Sequence, residues 1–193
     1  MYLSICIYLI KYSIYINFWK ADNTIEMETV RAQLETIFKK LNKRIAEINR
    51  KRKKDDSLLI TKSEVKLLGQ MSLLANEKVS AILSLAQTGD MDALLQMEHV
   101  VKEELTYILK DHSLIYDEDS KLIWIPPGTS FEGLFDFTNV VVNVIDPESA
   151  LVSKAVKAPA KNKQLIREAI VSEAFPGLVD RILKNGGKLE NFS

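Results

Sequence analysis

The residues best suited to chemistry lie in Gln87-Thr88-Gly89-Asp90-Met91-Asp92-Ala93-Leu94, two aspartates two apart that follow a glycine and precede apolar residues. On a strand, residues i and i+2 share a face with Cα atoms roughly 7 Å apart, so both carboxylates can converge on one divalent ion. On a helix the same pair diverges by about 200°. Hard oxygen ligands suit Mg²⁺, which keeps positions for phosphate oxygens and serves in-line phosphoryl or nucleotidyl transfer. The same spacing also fits a structural role, with Asp90 capping a helix that holds Leu94 and Met97, and Asp92 in its first turn.

Other familiar chemistry is missing from the sequence. It contains no GxxxxGK, GxGxxG, GxSxG or HExxH motif. His99 and His112 would point to nearly opposite faces of one helix, so they cannot share a metal there. Cys6 is the single cysteine, which excludes an intrachain disulfide and a multi-cysteine zinc site.

The elements that must position the aspartates are legible to different degrees. Val30, Leu34, Ile37, Leu41, Ile45 and Ile48 form one helical stripe, predicting a long helix from Thr29 to about Asn49. Thr61 and Glu64 have capping-box spacing, predicting that another helix opens in ITKSEVKLLGQM. Residues 71–86 fit either its continuation or a short strand followed by a helix. Leu94, Met97, Val101, Leu105 and Ile108 predict a helix over 94–110. The segments 122–125, FEGLFDF and 140–145 predict a small antiparallel sheet. Asp146-Pro147 opens a helix as N-cap and first residue, and two more helices follow, punctuated by Pro159 and Pro176.

With 193 residues, 47% of them hydrophobic and 27% charged, the chain has the length and composition of one well-cored globular domain, or of one domain plus an extra segment. Its 26 basic and 26 acidic residues cancel, yet residues 39–54 hold nine Lys/Arg and only Glu47. That basic face suits phosphate contact with a nucleotide or nucleic acid, an anionic membrane, or plain solvation; no aromatics interleave to stack bases. The cysteine content leads us to expect a cytoplasmic protein.

Residues 2–19 are the most membrane-like stretch, but Lys11 falls mid-span, no basic start precedes the run and no A-x-A site follows. The segment reads as an anchor, as a structural element, or as a non-native extension of residues 1–26 ahead of a start at Met27. The resulting division is an apolar extension (1–26), a basic amphipathic helix (27–56) and the main domain (57–193).

The run T-G-D-M-D-A-L-L resembles the R-x-T-x-D-[IV]-D-A-L segment of polymerase-β-like nucleotidyltransferases, in particular the small uncharacterised group allied to abortive-infection and toxin–antitoxin nucleotidyltransferases. The order of later elements agrees over about residues 75–170, ending in Val140-Val141-Val142-Asn143-Val144-Ile145-Asp146-Pro147-Glu148-Ser149-Ala150-Leu151-Val152-Ser153-Lys154, which is similar to the group's L-x-V-x-V-x-D-P-E-x-L-L-x-x-K run. The expected fold is α+β: a nucleotidyltransferase-like core with a small mixed sheet, which the resemblance implies, together with the long basic N-terminal helix and the helical C-terminal part read from the residue pattern. The resemblance further implies Asp90 and Asp92 as metal ligands, Asp136 as the third catalytic carboxylate, Lys154 against phosphate, Mg²⁺ as cofactor and a nucleoside triphosphate as substrate. The chain departs from the group in three places. A Gly-Gly or Gly-Ser turn is matched only by Ala75-Asn76-Glu77, Gln87 replaces an arginine, and Ala158-Pro159-Ala160-Lys161-Asn162-Lys163 replaces a later R-x-x-D-x-x-D.

Three functional classes follow. The first is metal-dependent nucleotidyl transfer, the second a catalytically inactive binding or antitoxin-like module with a protein partner, and the third a membrane-tethered helical interaction protein.

Overall fold

The computed structural model describes residues 29–193, so the apolar extension and the possible start at Met27 lie outside the described residues. Among them, no helix is long and apolar enough to cross a membrane.

The apolar stripe of the first segment becomes helix α1, Val30–Lys54, capped by the Thr29 side chain on the Ala32 amide. Leu34, Ile37, Phe38, Leu41 and Ile45 are fully buried along it. They pack on Val65, Val140 and Val142 of the sheet and on Val101, Leu105 and Leu109 of α4, His99–Asp111. The basic half of α1 is partly tied to α4 and its N-terminus: Arg52 donates from its two terminal guanidinium nitrogens, at 3.2 and 2.7 Å, to Glu98, the residue before α4, and Arg44 pairs with Glu104.

The segment after α1 is strand β1, Ser63–Leu67, and not the helix that the Thr61/Glu64 spacing suggests. Ser63, Val65 and Leu67 alternate as buried residues with Glu64 and Lys66, and period two wins because β1 is central in the sheet. Two short helices follow, α2, Gly69–Ala75, and α3, Glu77–Ser80. Then come β2, Asp90–Met91, and β3, Ala93–Gln96, so the helix expected from Leu94 begins only at His99. Leu94 and Leu95 instead pair with Lys66 and Val65 of β1.

Strand β4, Ile115–Tyr116, pairs in parallel with β2, while β5, Phe131–Asp136, and β6, Val140–Ile145, form an antiparallel hairpin with a bulge at Leu134. The four-stranded sheet has the order β3-β1-β6-β5. It is mixed, since β1 and β6 run parallel and the outer pairings are antiparallel. Residues 122–125 supply none of its strands: a 3₁₀ turn, Glu118–Leu122, runs into the Pro126-Pro127-Gly128 turn instead.

Asp146 and Pro147 open α5, Pro147–Lys157, as their types predict. Helices α6, Lys163–Val171, and α7, Leu178–Lys184, complete a second core with α5 and α2, in which Leu68, Leu73, Leu151, Val152, Ile166, Ile182 and Phe192 are buried. The architecture is thus α+β, with one face of a small mixed sheet under α1 and α4 and a helical C-terminal part. The C-terminal ends of β1 and β6 lead directly into α2 and α5, the helices that flank Asp92.

Candidate functional site

Asp90 lies on β2 and Asp92 is the single residue between β2 and β3. Met91, between them, is fully buried, which turns the flanking aspartates to the opposite, open side. No helix begins here: α4 is preceded by Glu98, whose side chain makes no capping bond. The capping alternative for Asp90 and Asp92 is therefore overturned, because β2 and β3 commit their backbone to pairing with β4 and β1.

Asp92 is tied to the end of β1, where the Leu68 amide donates to its carbonyl oxygen at 2.8 Å. The next residue, Gly69, has φ +56°, and a Cβ at that position would overlap the Asp92 Oδ2. A left-handed glycine thereby lets the carboxylate lie against the β1–α2 turn. The departure at Ala75-Asn76-Glu77 is not where the chain turns beside the aspartates; the glycine that approaches them is Gly69.

Across from Asp92 stands Lys154 on α5. Both line a cavity of about 280 Å³ with Trp124, Lys157, Lys161 and Asn162, walled by Leu68, Ile145 and Ala150. A second cavity of about 390 Å³, lined by Gln70, Ser84, Gln87 and Thr88, shares Lys154, Lys161 and Asn162 with the first. The two make one cleft between the sheet end and α5–α6.

The electrostatics of the cleft are unusual. Burial raises the Asp92 pKa above 3.8, the nearby Asp117 and Asp90 charges add to that, and Lys154 and Lys161 oppose it. Burial lowers the Lys154 pKa below 10.5 against the attraction of Asp92, with Lys161 adding to the lowering. Acid and amine attract through space without a mutual hydrogen bond, so each charge is poorly solvated and poorly paired.

Asp117 is the third acid in range. Its amide donates to the Met91 carbonyl at 3.2 Å as β4 continues alongside β2, and its side chain caps the Asp119 amide. Asp136, expected as the third carboxylate, is placed elsewhere. It pairs with Val141, which pairs with Glu64 at the start of β1, whereas Asp92 follows the end of β1. The sheet thus separates the two, and Asp136 forms an ion pair with Lys62. This corrects the assignment, and the reason is that an edge strand running antiparallel carries its last residue to the far end of the sheet.

Asp146 and Glu148 of the Asp-Pro-Glu run do structural work. Asp146 Oδ1 accepts from the Ser149 amide at 2.8 Å and Oδ2 from the Ser130 amide at 2.9 Å, and Arg181 of α7 reaches both carboxylates. Burial pushes the Asp146 carboxyl up, but its bonds to Ser149, Ser130 and Arg181 outweigh that and hold it below 3.8. The result locks α5, and with it Lys154, against α7.

Compared with known proteins, the chain matches no family model, and neither a curated protein nor a solved structure matches it.

Proposed function

We propose that the protein is a nucleotidyltransferase-like enzyme that moves a nucleotidyl group from a nucleoside triphosphate to an acceptor at the Asp92–Lys154 cleft, with Asp90 exposed beside it on β2. The observation that carries this reading is the pairing of a half-buried Asp92, backed by Gly69, with a half-buried Lys154 that it faces without a hydrogen bond. Mg²⁺ bound with its nucleotide needs only one or two protein carboxylates, the rest of its shell being phosphate oxygens and water. Asp90 and Asp92 fit that requirement, and the metal would supply neutralisation of charge on the transferring phosphorus. Lys154 and Lys161 would hold the triphosphate oxygens, and the apolar wall of Leu68, Ile145 and Trp124 would exclude water around them. The contribution of the chain is mainly positioning and electrostatics, as this chemistry requires.

A second reading, a catalytically inactive binding module of the same fold, is favoured by one observation. Among the described residues, no three acids, histidines or cysteines come together as a ready-made metal cage. The readings separate in a thermal-shift experiment on the full chain with Mg²⁺ or Mn²⁺ and each nucleoside triphosphate. A ligand at about 100 times its Kd adds roughly 2.7 kcal/mol, or about 5–10 °C for a chain of this size. The enzyme reading expects a metal-dependent shift that Asp90→Asn/Asp92→Asn abolishes. A metal-independent shift retained in that variant supports the binding module, and no shift with any nucleotide refutes nucleotide binding altogether.

A further inference from the structure

The C-terminal end of α1 reaches past the packed body of the protein. Ile45 is the last buried residue of the helix, and from residue 50 to residue 59 every side chain except Arg52 is exposed. Arg50, Lys51, Lys53 and Lys54 crowd this end, and none has a carboxylate within ion-pair distance among the described residues, whereas Arg52 is held by Glu98. Asp55 and Asp56 are the acids of the tip, and the unpaired cations outnumber them. Directly beyond stand Leu58, 90% exposed, and Leu59, 51% exposed. The loop that carries these leucines is fixed on both sides. The Ser57 amide donates to the Arg52 carbonyl at 2.8 Å, Arg52 Nη1 donates to the Leu58 carbonyl at 3.1 Å, and Asn49 exchanges two bonds with the backbone of Ile60, at 2.7 and 3.1 Å. Ile60 itself is buried in the core. Single exposed leucines need no account, but two adjacent ones held outward beside four unpaired cations make a defined surface.

From these observations we infer that the tip of α1, residues 50–59, docks on an anionic lipid surface, with Leu58 and Leu59 entering the boundary between headgroups and acyl chains and Arg50, Lys51, Lys53 and Lys54 lying against the lipid phosphates. Charge complementarity and the apolar pair point to the same partner. An anionic bilayer attracts basic side chains within a Debye length of its surface, and apolar side chains placed among them add burial that the charges alone do not provide. The contact is made from one side of the bilayer by a loop, so it needs no membrane-crossing helix, and it is independent of nucleotidyl transfer. A nucleic acid fits less well, because it offers leucine side chains no apolar phase and the tip has no aromatic ring for its bases. A protein partner would need a concavity matched to a projecting tip, whereas a bilayer interface receives such a tip without one.

The test is co-sedimentation of the full chain with vesicles of phosphatidylcholine and phosphatidylglycerol in equal parts, and with phosphatidylcholine alone, over a series of KCl concentrations. Wild type is compared with Leu58→Ser/Leu59→Ser and with Lys53→Gln/Lys54→Gln. Wild type should sediment with the mixed vesicles, much less with phosphatidylcholine, and less as salt shortens the reach of the surface charge. Each pair of substitutions should weaken binding to the mixed vesicles by about tenfold or more, the leucine pair through lost burial and the lysine pair through lost attraction. All six altered and neighbouring tip positions are solvent-facing, so both variants should keep the wild-type thermal midpoint and any nucleotide-dependent shift, which separates this test from that of the cleft. A wild-type chain that stays in solution with the mixed vesicles overturns the inference. So does wild-type sedimentation by either variant, which would place the lipid contact elsewhere in the chain. Binding of a labelled oligouridylate that the lysine pair loses, with vesicle binding that the leucine pair keeps, would reassign the tip to nucleic acid.

Discussion

The Asp92 carboxylate occupies the space that a side chain at Gly69 would take, and the Gly69 φ of +56° is one that most side chains adopt only at a cost. The closeness of β1's end to the β2–β3 junction, fixed by the Leu68–Asp92 backbone bond, creates this competition for space. Gly69→Ala should thus destabilise by about 2 kcal/mol or more, combining left-handed strain of roughly 1–2 kcal/mol with displacement of the carboxylate. The double variant Gly69→Ala/Asp92→Ala should recover part of that loss. Urea denaturation of the four proteins of the cycle measures the coupling, and strict additivity would show that the two residues do not compete for space.

Asp92→Asn should make the protein slightly more stable at neutral pH. A carboxyl with a raised folded pKa binds more protons folded than unfolded just above pH 3.8, so stability falls as pH rises through that window and stays lower above it. Removing the charge removes the cost. Solvent reaches the group, so the gain is small, on the order of 1–2 °C in Tm. Thermal melts from pH 3 to 8 should show the variant and wild type converging only at the acidic end, and a less stable variant at pH 7 would contradict the burial argument.

Asp146 behaves in the opposite sense. Its folded pKa is depressed, so its contribution is complete above pH 3.8 and lost as pH falls through the lower folded value. Asp146→Ala removes the N-cap of α5, worth about 0.5–2 kcal/mol, and releases Arg181 from one of its two carboxylates. Chemical denaturation at pH 7 should report a loss in that range or above it. A neutral outcome would mean that the Asp146–Ser149–Arg181 cluster does not anchor the helix.

Lys154→Met should leave the fold intact or slightly firmer, since burial already disfavours the ammonium. Methionine keeps much of the lysine stem and supplies no charge. The variant should lose the nucleotide-induced thermal shift while its unliganded Tm holds. Retention of the full shift would assign phosphate binding to other groups.

The fold was legible where one period dominates. The α1 stripe of Leu34, Ile37, Leu41 and Ile45, the β6 run of valines and the Asp146-Pro147 helix start each state their structure in adjacent residues. Residues 63–67 misled because the Thr61-x-x-Glu64 spacing is a local signal, whereas the alternation of Ser63, Val65 and Leu67 gains its meaning from β3 and β6 on either side. In the same way, Leu94 and Leu95 fit a helical stripe but are recruited by β1.

The candidate site was legible only as far as its spacing. Asp90 and Asp92 share an open side as a strand pair must, and Lys154 faces Asp92 from α5. Gly69 and Asp117 lie 23 residues before and 25 after Asp92 and reach it only through strand pairing, which leaves no mark on local sequence. A clue for Gly69 was its position directly after an alternating Val65–Leu67 segment, the usual place for a glycine that lets backbone approach a site. Asp136 failed as a third acid because strand direction, not residue type, decides which end of the sheet it occupies.

In the proposed function, Asp90 and Asp92 hold a divalent cation together with a nucleotide. Electron paramagnetic resonance of free Mn²⁺, titrated against the full chain with and without a non-hydrolysable nucleoside triphosphate, tests it most directly. One Mn²⁺ should bind per chain only when nucleotide is present, and none in excess of the nucleotide's own binding in Asp90→Asn/Asp92→Asn. Equal binding by wild type and the double variant, or no nucleotide-dependent uptake with any base, would contradict it.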